Sequence, residues 1–462
     1  MADLPFGFST GANGDDDRDK RGDMPPGGPG GPGSDPFGFA AGGFDMAGLG
    51  QMFSKLGEMF SGAGSAMASG APASPVNYDL ARKLATNSIG FVKPVPEATS
   101  AAVADAVRLA ETWLDGVTPL PAGSTRAVAW TAADWLDNTL DTWKRLCNPV
   151  AEKMASMWSA AMPEGAPEEA KAMAGPLTAM MAQMGSMAFG SQLGQALGVL
   201  SKEVLTSTDV GLPLGPTGVA ALMPEAIDTF GAGLEQPRSE VLTFLAAREA
   251  AHHRLFIHVP WLAPQLLSSV EAYAHGMKID LSGMEDLARN LDPSALTDSA
   301  RLEELLSQGN LLEPKITPEQ TAALERLETM LALIEGWVQT VVRHALGDRL
   351  PGTSALSETL VRRRATGGPA EQTFATLVGL ELRPRKMREA AALWQKLTDA
   401  VGADKRDDLW AHPDLLPDAG DLDQPAGFID RVVGGDTSGI DQALADLEKD
   451  FNAGPGDSGD AS

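Results

Sequence analysis

Three residues whose side chains can take part in catalysis occur close together, at Arg248, Glu249 and His252. The arrangement differs at one position from H-E-x-x-H, in which two histidines four residues apart lie on one face of a helix and bind zinc. The glutamate of that pattern activates the metal-bound water. In this chain an arginine replaces the first histidine. His252 is then a predicted zinc ligand, and Glu249 is the predicted general base.

The segment 237–256 is predicted to be the amphipathic helix that positions these residues. Its apolar residues recur at helical spacing, so we expect one stripe of the helix to face the core. That stripe runs from Val241 through Leu245 to Arg248 and His252, which puts a guanidinium and an imidazole on the buried side. A lone buried guanidinium is costly and needs an acidic partner. The pattern therefore indicates a site.

Further motifs follow in the chain, namely Arg254-Leu255-Phe256 and His258-Val259-Pro260-Trp261-Leu262. With them, residues 248–262 resemble a bacterial family of zincin-like proteins, which are usually labelled zinc-dependent metalloproteases or hydrolases. The resemblance extends to three more segments: 362–374, 380–394 and 408–417. It covers about residues 76 to 420. It implies a zincin-like α+β core with a small sheet, and zinc as the cofactor.

The resemblance also implies where a third zinc ligand would lie. A catalytic zinc takes three protein ligands and one water, and one zincin branch supplies the third ligand from a glutamate on the next helix. Glu271 lies at that place, and His275, one turn further along the same face, is a second candidate.

The charge of Arg248 opposes a metal ion at this position. A guanidinium about 4 Å from a dication is repelled by roughly 8 kcal/mol at an effective dielectric constant of about 20. Arg248 could instead supply the positive charge itself by pairing with Glu271 or Glu249, because a planar guanidinium binds a carboxylate on its fork. The site would then be a structural ion-pair network.

Composition excludes several classes of function. The formal net charge of −26 argues against binding to nucleic acid or to anionic lipid, since both need a basic surface. The single Cys147 excludes an internal disulfide framework and a thiolate zinc cage. Residues 177–200 are too polar and glycine-rich for a membrane span, and the N-terminus has no secretory signal. We therefore expect a cytoplasmic protein.

The chain divides by composition into an arm, a domain and a tail. Residues 1–75 are rich in Gly, Pro and Asp and are predicted to be disordered, apart from a short amphipathic segment at 48–61. That segment could dock as a helix in the groove of a partner protein, pack on its own domain, or form a transient helix. Residues 76–413 should form the domain, and residues 414–462 an acidic, largely disordered tail.

Helical periodicity dominates the domain, so the predicted fold class is predominantly α. Long helical stretches are expected over 94–117, 127–158, 172–205, 318–346 and 384–401. Short strands are expected at 220–224 and 277–281. A second helix is expected to approach closely along a series of glycines: Gly185, Gly190, Gly194 and Gly198.

No other catalytic pattern occurs in the sequence, which has no Gly-x-Ser-x-Gly elbow, no Walker loop and no dinucleotide fingerprint. The basic run Arg362-Arg363-Arg364 is expected to pair internally, with the Asp-rich tail as one partner.

Three functions remain open at this point. The first is a zinc-dependent metalloprotease or hydrolase, with Glu249 as the base and His252 plus Glu271 or His275 as ligands. The second is a catalytically inactive zincin-like scaffold or binding protein for another protein or a peptide, with Arg248 in a structural ion pair. The third is a hydrolase with a rearranged site that tolerates Arg248.

Overall fold

The computed structural model describes residues 74–160, 168–276, 278–279, 314–315, 317–365, 373 and 386–434. The segment 48–61 and the tail from residue 435 lie outside these residues. In chain order the helices are α1 (Tyr78–Ile89), α2 (Glu97–Leu114), α3 (Ala132–Ala160), α4 (Glu168–Glu203), α5 (Pro224–Gly231), α6 (Arg238–His258), α7 (Leu262–Gly276), α8 (Pro318–Leu346), α9 (Thr353–Ala365), α10 (Met387–Asp408), α11 (Ala419–Asp423) and α12 (Pro425–Gly434). The expected fold class, predominantly helical with a small sheet, is confirmed. Within these residues no helix is long and apolar enough to cross a membrane.

Among the described residues, four short strands accompany the helices: β1 (Arg126–Ala129), β2 (Val219–Leu222), β3 (Lys278–Ile279) and β4 (Pro314–Lys315). β1 and β2 pair in parallel, in a register that sets Arg126 opposite Val219 and Ala129 opposite Leu222. β3 and β4 pair antiparallel. β2 and β3 overlap the strands expected at 220–224 and 277–281, and that expectation is confirmed.

β1 lies where helical surroundings were expected, at residues 127–129, and there the prediction is wrong. The strand forms because β2, some ninety positions further along the chain, supplies its hydrogen-bond partners. The periodicity of a short sequence stretch does not show which distant segment will pair with it.

The other edge of β2 is covered by the chain segment that follows α4. Thr206 forms an antiparallel bridge with Leu222. The backbone N–H of Ser207 donates to the carbonyl of Ala221 at 2.9 Å. Both edges of β2 therefore already carry backbone partners from this chain.

Helix α6 is buried on all sides along its second half, and the expectation of one core-facing stripe is wrong in this respect. Every residue from Ala246 to Leu255 is buried, and the helix packs against α2 and α8. Charged residues off the stripe are buried because each finds a partner. The fully buried Arg254 donates from Nε to Glu111 Oε2 at 2.8 Å and from Nη2 to Asp115 Oδ1 at 2.6 Å. These bonds tie α6 to α2.

Three of the four glycines in the predicted series on α4 bring that helix close to α1. A Cβ atom added to any of the three would lie 2.5 or 2.6 Å from an atom of α1 or of its N-cap residue Asn77: Gly190, Gly194 and Gly198. The fourth, Gly185, has nothing within 4 Å of such an atom. The predicted packing role is confirmed for three positions and does not hold for Gly185.

Replacing Gly194 by alanine is expected to lower the free energy of unfolding by about 1–3 kcal/mol, the usual cost of overpacking. The new methyl group would lie 2.5 Å from the Ala81 carbonyl oxygen, a backbone atom that cannot rotate away. Gly185→Ala is the matched control on the same helix, and it should stabilise the protein by about 0.5–1 kcal/mol because alanine is the better helix former. Urea unfolding of both variants measures the difference, and effects of equal sign would contradict this account of the packing.

Regular structure continues past residue 413, where we expected the acidic tail to begin. Helices α11 and α12 follow, and both pack against α10. Leu422 and Phe428 are buried, and Lys386 Nζ lies 2.8 Å from Asp423 Oδ2. These two apolar side chains give the segment a buried face, which its acidic composition obscured.

Candidate functional site

Arg248 and His252 approach one carboxylate, that of Glu335 on α8. Arg248 Nη2 lies 2.5 Å from Glu335 Oε2, and His252 Nε2 lies 3.0 Å from Glu335 Oε1. The two α6 residues are one helical turn apart, so each contacts a different oxygen of the same carboxylate. The exposed fractions are 8% for Arg248, 2% for His252 and 4% for Glu335. The predicted partner of Arg248, either Glu271 or Glu249, is therefore wrong.

A second guanidinium joins this group from α9. Arg364 Nη1 lies 2.7 Å from Glu335 Oε2, and its Nη2 donates to the backbone carbonyl of Asp209 at 2.7 Å. Arg363 Nη1 lies 3.3 Å from Asp209 Oδ2. The basic run thus pairs internally as expected, but its partners here are Asp209 and Glu335. We call Arg248, His252, Glu335 and Arg364 the Glu335 cluster.

Both ring nitrogens of His252 face oxygen atoms that can only accept a hydrogen bond. Nδ1 lies 2.8 Å from the backbone carbonyl oxygen of Arg248, and Nε2 lies 3.0 Å from Glu335 Oε1. Both ring nitrogens are therefore engaged by oxygen atoms of this chain in this arrangement.

The cations around Glu335 keep its carboxylate charged in the interior. Burial alone would raise the pKa of Glu335, but the charges of Arg364, Arg248 and His252 hold that pKa well below its usual value of 4.5. Removing a buried carboxylate from such a group leaves its cations without a counter-charge. The Glu335 cluster is therefore a buried ion network that joins α6, α8 and α9.

Glu249 faces a different neighbour, the segment that covers β2. Its Oε2 accepts hydrogen bonds from the Thr208 hydroxyl at 2.6 Å and the Thr208 N–H at 3.2 Å. Its Oε1 accepts from the Ser207 hydroxyl, from the Ala221 N–H at 3.2 Å and from His253 Nε2 at 3.2 Å. Burial would raise the pKa of Glu249, yet these hydrogen bonds, that from His253 first, lower it to about 2.

Such a carboxylate is a poor general base. A base near neutral pH needs a pKa close to 7 and a free lone pair toward its substrate. Glu249 has a pKa of about 2 and is fully buried, and its oxygens together accept five hydrogen bonds from the protein. Its observed role is to fasten α6 to the segment 207–208 and to β2.

The two residues predicted as further ligands lie elsewhere. Glu271 and His275 are exposed on α7, and His275 Nδ1 lies 2.8 Å from the backbone carbonyl oxygen of Glu271. The structure brings Arg248 and His252 together with Glu335, and leaves Glu271 and His275 outside that group. Their role as zinc ligands stays a prediction.

Glu335 was missed by sequence reasoning although a signal for it exists. The apolar stripe of α8 includes Leu331 and Ile334, and Glu335 lies one turn after Leu331 on the buried side. A lone acid on an apolar helical stripe needs a buried cation as partner. Arg248, the lone guanidinium on the stripe of α6, is the complementary signal.

The zinc implied by the resemblance does not fit the residues at this position. The first ligand place is held by a guanidinium, His252 has both ring nitrogens engaged, and the carboxylate of Glu335 is paired with two arginines. Across the described ranges, no three His, Cys, Asp or Glu side chains lie close enough together to hold a metal ion.

Comparison with known proteins places this geometry in context. A sequence model of a family described as zincin-like metallopeptidase matches residues 76–429. No curated protein matches the chain. Among solved structures, the chain is similar to the crystal structure of a candidate hydrolase with a novel fold from Chloroflexus aurantiacus. The two share 19% sequence identity at a TM-score of 0.54, and the match covers 77% of this chain and 98% of that one. The likeness is one of fold.

Proposed function

Because the chain belongs to the zincin-like metallopeptidase family, we propose that it is a member that performs no zinc-dependent hydrolysis at the Arg248 position. It acts instead as a scaffold or binding protein for another protein or a peptide. The observation that carries the proposal is the ion pair between Arg248 Nη2 and Glu335 Oε2 at 2.5 Å. The guanidinium of Arg248 thus puts a positive charge where the motif has its first zinc ligand.

The state of Glu249 supports the same conclusion. Metal-assisted hydrolysis needs a carboxylate that can take a proton from the attacking water. Glu249 would have to break its hydrogen bonds to Thr208 and Ser207 before it could do so. Those bonds hold the segment that covers β2, so releasing the base would also loosen the sheet.

The closed edges of β2 add a second line of support. An extended peptide substrate can bind an enzyme by adding a strand to a free sheet edge. β1 occupies one edge of β2, and the segment around Thr206 occupies the other. A peptide therefore cannot add a strand to β2, and the segment 48–61 is our proposed docking element for a partner with an apolar groove.

Zinc-dependent hydrolysis is the second candidate function, and the family match favours it. On that alternative Glu249 is the base, and His252 with Glu271 or His275 would hold the ion. Arg248 would have to leave Glu335 and turn away from the metal. The two candidates differ in metal content, which decides between them.

We expect protein purified without a metal-affinity tag to contain far less than one zinc per chain by elemental analysis. Its melting temperature should be unchanged by a chelator. A metal ion bound to the folded state would raise the melting temperature, and a chelator would then lower it. The matched variant is His252→Ala. Stoichiometric zinc in the wild type that disappears in this variant, together with peptide hydrolysis that is lost in Glu249→Gln, would establish the hydrolase instead.

A further inference from the structure

We propose that the guanidinium group of Arg248 holds the place of a metal ion in this fold, and that Glu335 is the residue that a metal at this place would take as its third ligand. The inference rests on the proposed function and goes further. It names the group that replaces the ion and a ligand different from Glu271. It also predicts that replacing Arg248 by histidine restores metal binding at this place.

The spacing of the three residues carries the first part of the inference. Two ligand atoms bound to a tetrahedral zinc at about 2.0–2.1 Å lie about 3.3 Å from each other. His252 Nε2 and Glu335 Oε1 are 3.0 Å apart, which is close to that ligand-to-ligand distance. Glu335 Oε2 points at the side chain of residue 248. Residues 248 and 252 of α6 therefore contact the same carboxylate of α8, so the three positions lie next to one another.

The charges carry the second part. Glu335 is buried and binds two guanidinium groups, those of Arg248 at 2.5 Å and Arg364 at 2.7 Å. Together they bring two positive charges to one carboxylate, as a divalent ion would. A further dication among them meets strong repulsion in the interior. The cluster excludes zinc because its positive charge is already supplied by the protein.

Arg248→His is the substitution that tests the inference. It removes one guanidinium and leaves two histidines and a glutamate, the ligand set of several zinc hydrolases. We expect at least about a 100-fold gain in zinc affinity over the wild type, because a complete three-ligand set replaces a charged obstacle. Competition with a chromophoric zinc indicator measures the affinity. Cobalt in place of zinc should give the visible absorption bands of a tetrahedral site.

Four companion variants separate the parts of the inference. Arg248→Lys keeps the charge and should bind no zinc. Adding Glu335→Gln to Arg248→His should remove most of the gained affinity, whereas adding Glu271→Gln should leave it unchanged. Adding Arg364→Gln to Arg248→His should raise the affinity at least about 10-fold further, because one more repelling charge is gone.

The results distinguish this inference from the proposed function. Wild-type protein without zinc and an Arg248→His variant that also binds none would overturn the inference and leave the proposed function standing. Zinc bound equally well by Arg248→His with and without Glu335→Gln would overturn the assignment of the third ligand. An Arg248→His chain that unfolds should refold when zinc is added, since the ion restores the missing charge, and failure to do so also counts against the inference.

Discussion

Glu335→Gln is expected to lower the free energy of unfolding by about 3–5 kcal/mol, the cost of breaking a buried ion pair from one side. The change removes the charge that Arg248, Arg364 and His252 contact, and the two guanidinium groups then lie close together without their shared counter-charge. Urea unfolding monitored by tryptophan fluorescence and by circular dichroism would give the loss.

The control for this variant is Glu325→Gln, at an exposed position of the same helix. It should change stability by less than about 0.5 kcal/mol. Adding Arg248→Met to Glu335→Gln should restore part of the lost stability, because it removes a cation that has lost its partner. Strictly additive effects of the two substitutions would show that the two side chains do not interact.

Lowering the pH toward 2 is expected to remove about 3 kcal/mol of stability through Glu249 alone, since one pKa unit corresponds to about 1.4 kcal/mol. The pKa of Glu249 falls from 4.5 to about 2 in the folded protein. When folding lowers the pKa of a carboxyl group, its full contribution to stability is present at pH values above the pKa of the unfolded state. That contribution is lost as the pH falls from about 4.5 through the folded value. Glu335, whose pKa is also held well below 4.5, adds to the loss in the same direction.

Urea unfolding at a series of pH values from 7 to 2 would measure this dependence. Glu249→Gln should be less stable than the wild type at pH 7 and should lose less stability on acidification. The exposed Glu271→Gln is the matched control and should follow the wild type. If the wild type and Glu249→Gln lost stability in parallel, the hydrogen bonds to Glu249 would not be the source of the acid sensitivity.

Both predictions treat the charged residues of α6 as structural. Arg248 holds α8 and Glu249 holds the segment that covers β2. These are adjacent residues in a motif that resembles a catalytic one. The same two positions would carry metal binding and base catalysis in a zinc hydrolase, so the elemental analysis decides whether this motif is used for chemistry or for structure.

Several features of the site could be predicted from the sequence. The helix, the buried guanidinium and imidazole on its stripe, and the need for an acidic partner all follow from spacing and charge in the stretch 237–256. The helical class and the close packing along Gly190, Gly194 and Gly198 follow from local patterns in the same way. These properties depend on residues that are neighbours in the chain or on one helix face.

The identity of the partner could not be predicted, because Glu335 is 87 residues away from Arg248 along the chain. Spacing within a helix fixes which residues share a face, and it does not determine which helix packs on that face. Glu271 was chosen because it lies on the next helix, yet α7 leaves it exposed while α8 buries Glu335.

The sequence by itself determined that α6 carries a buried cation in need of a carboxylate, and that the protein is mainly helical. Only the tertiary structure decided that this carboxylate is Glu335 and that Arg364 shares it. It also decided that Glu249 accepts hydrogen bonds from the segment beside β2. The physical reason is that burial and ion pairing are properties of contacts between distant segments. A single chain pattern shows only that a partner is required.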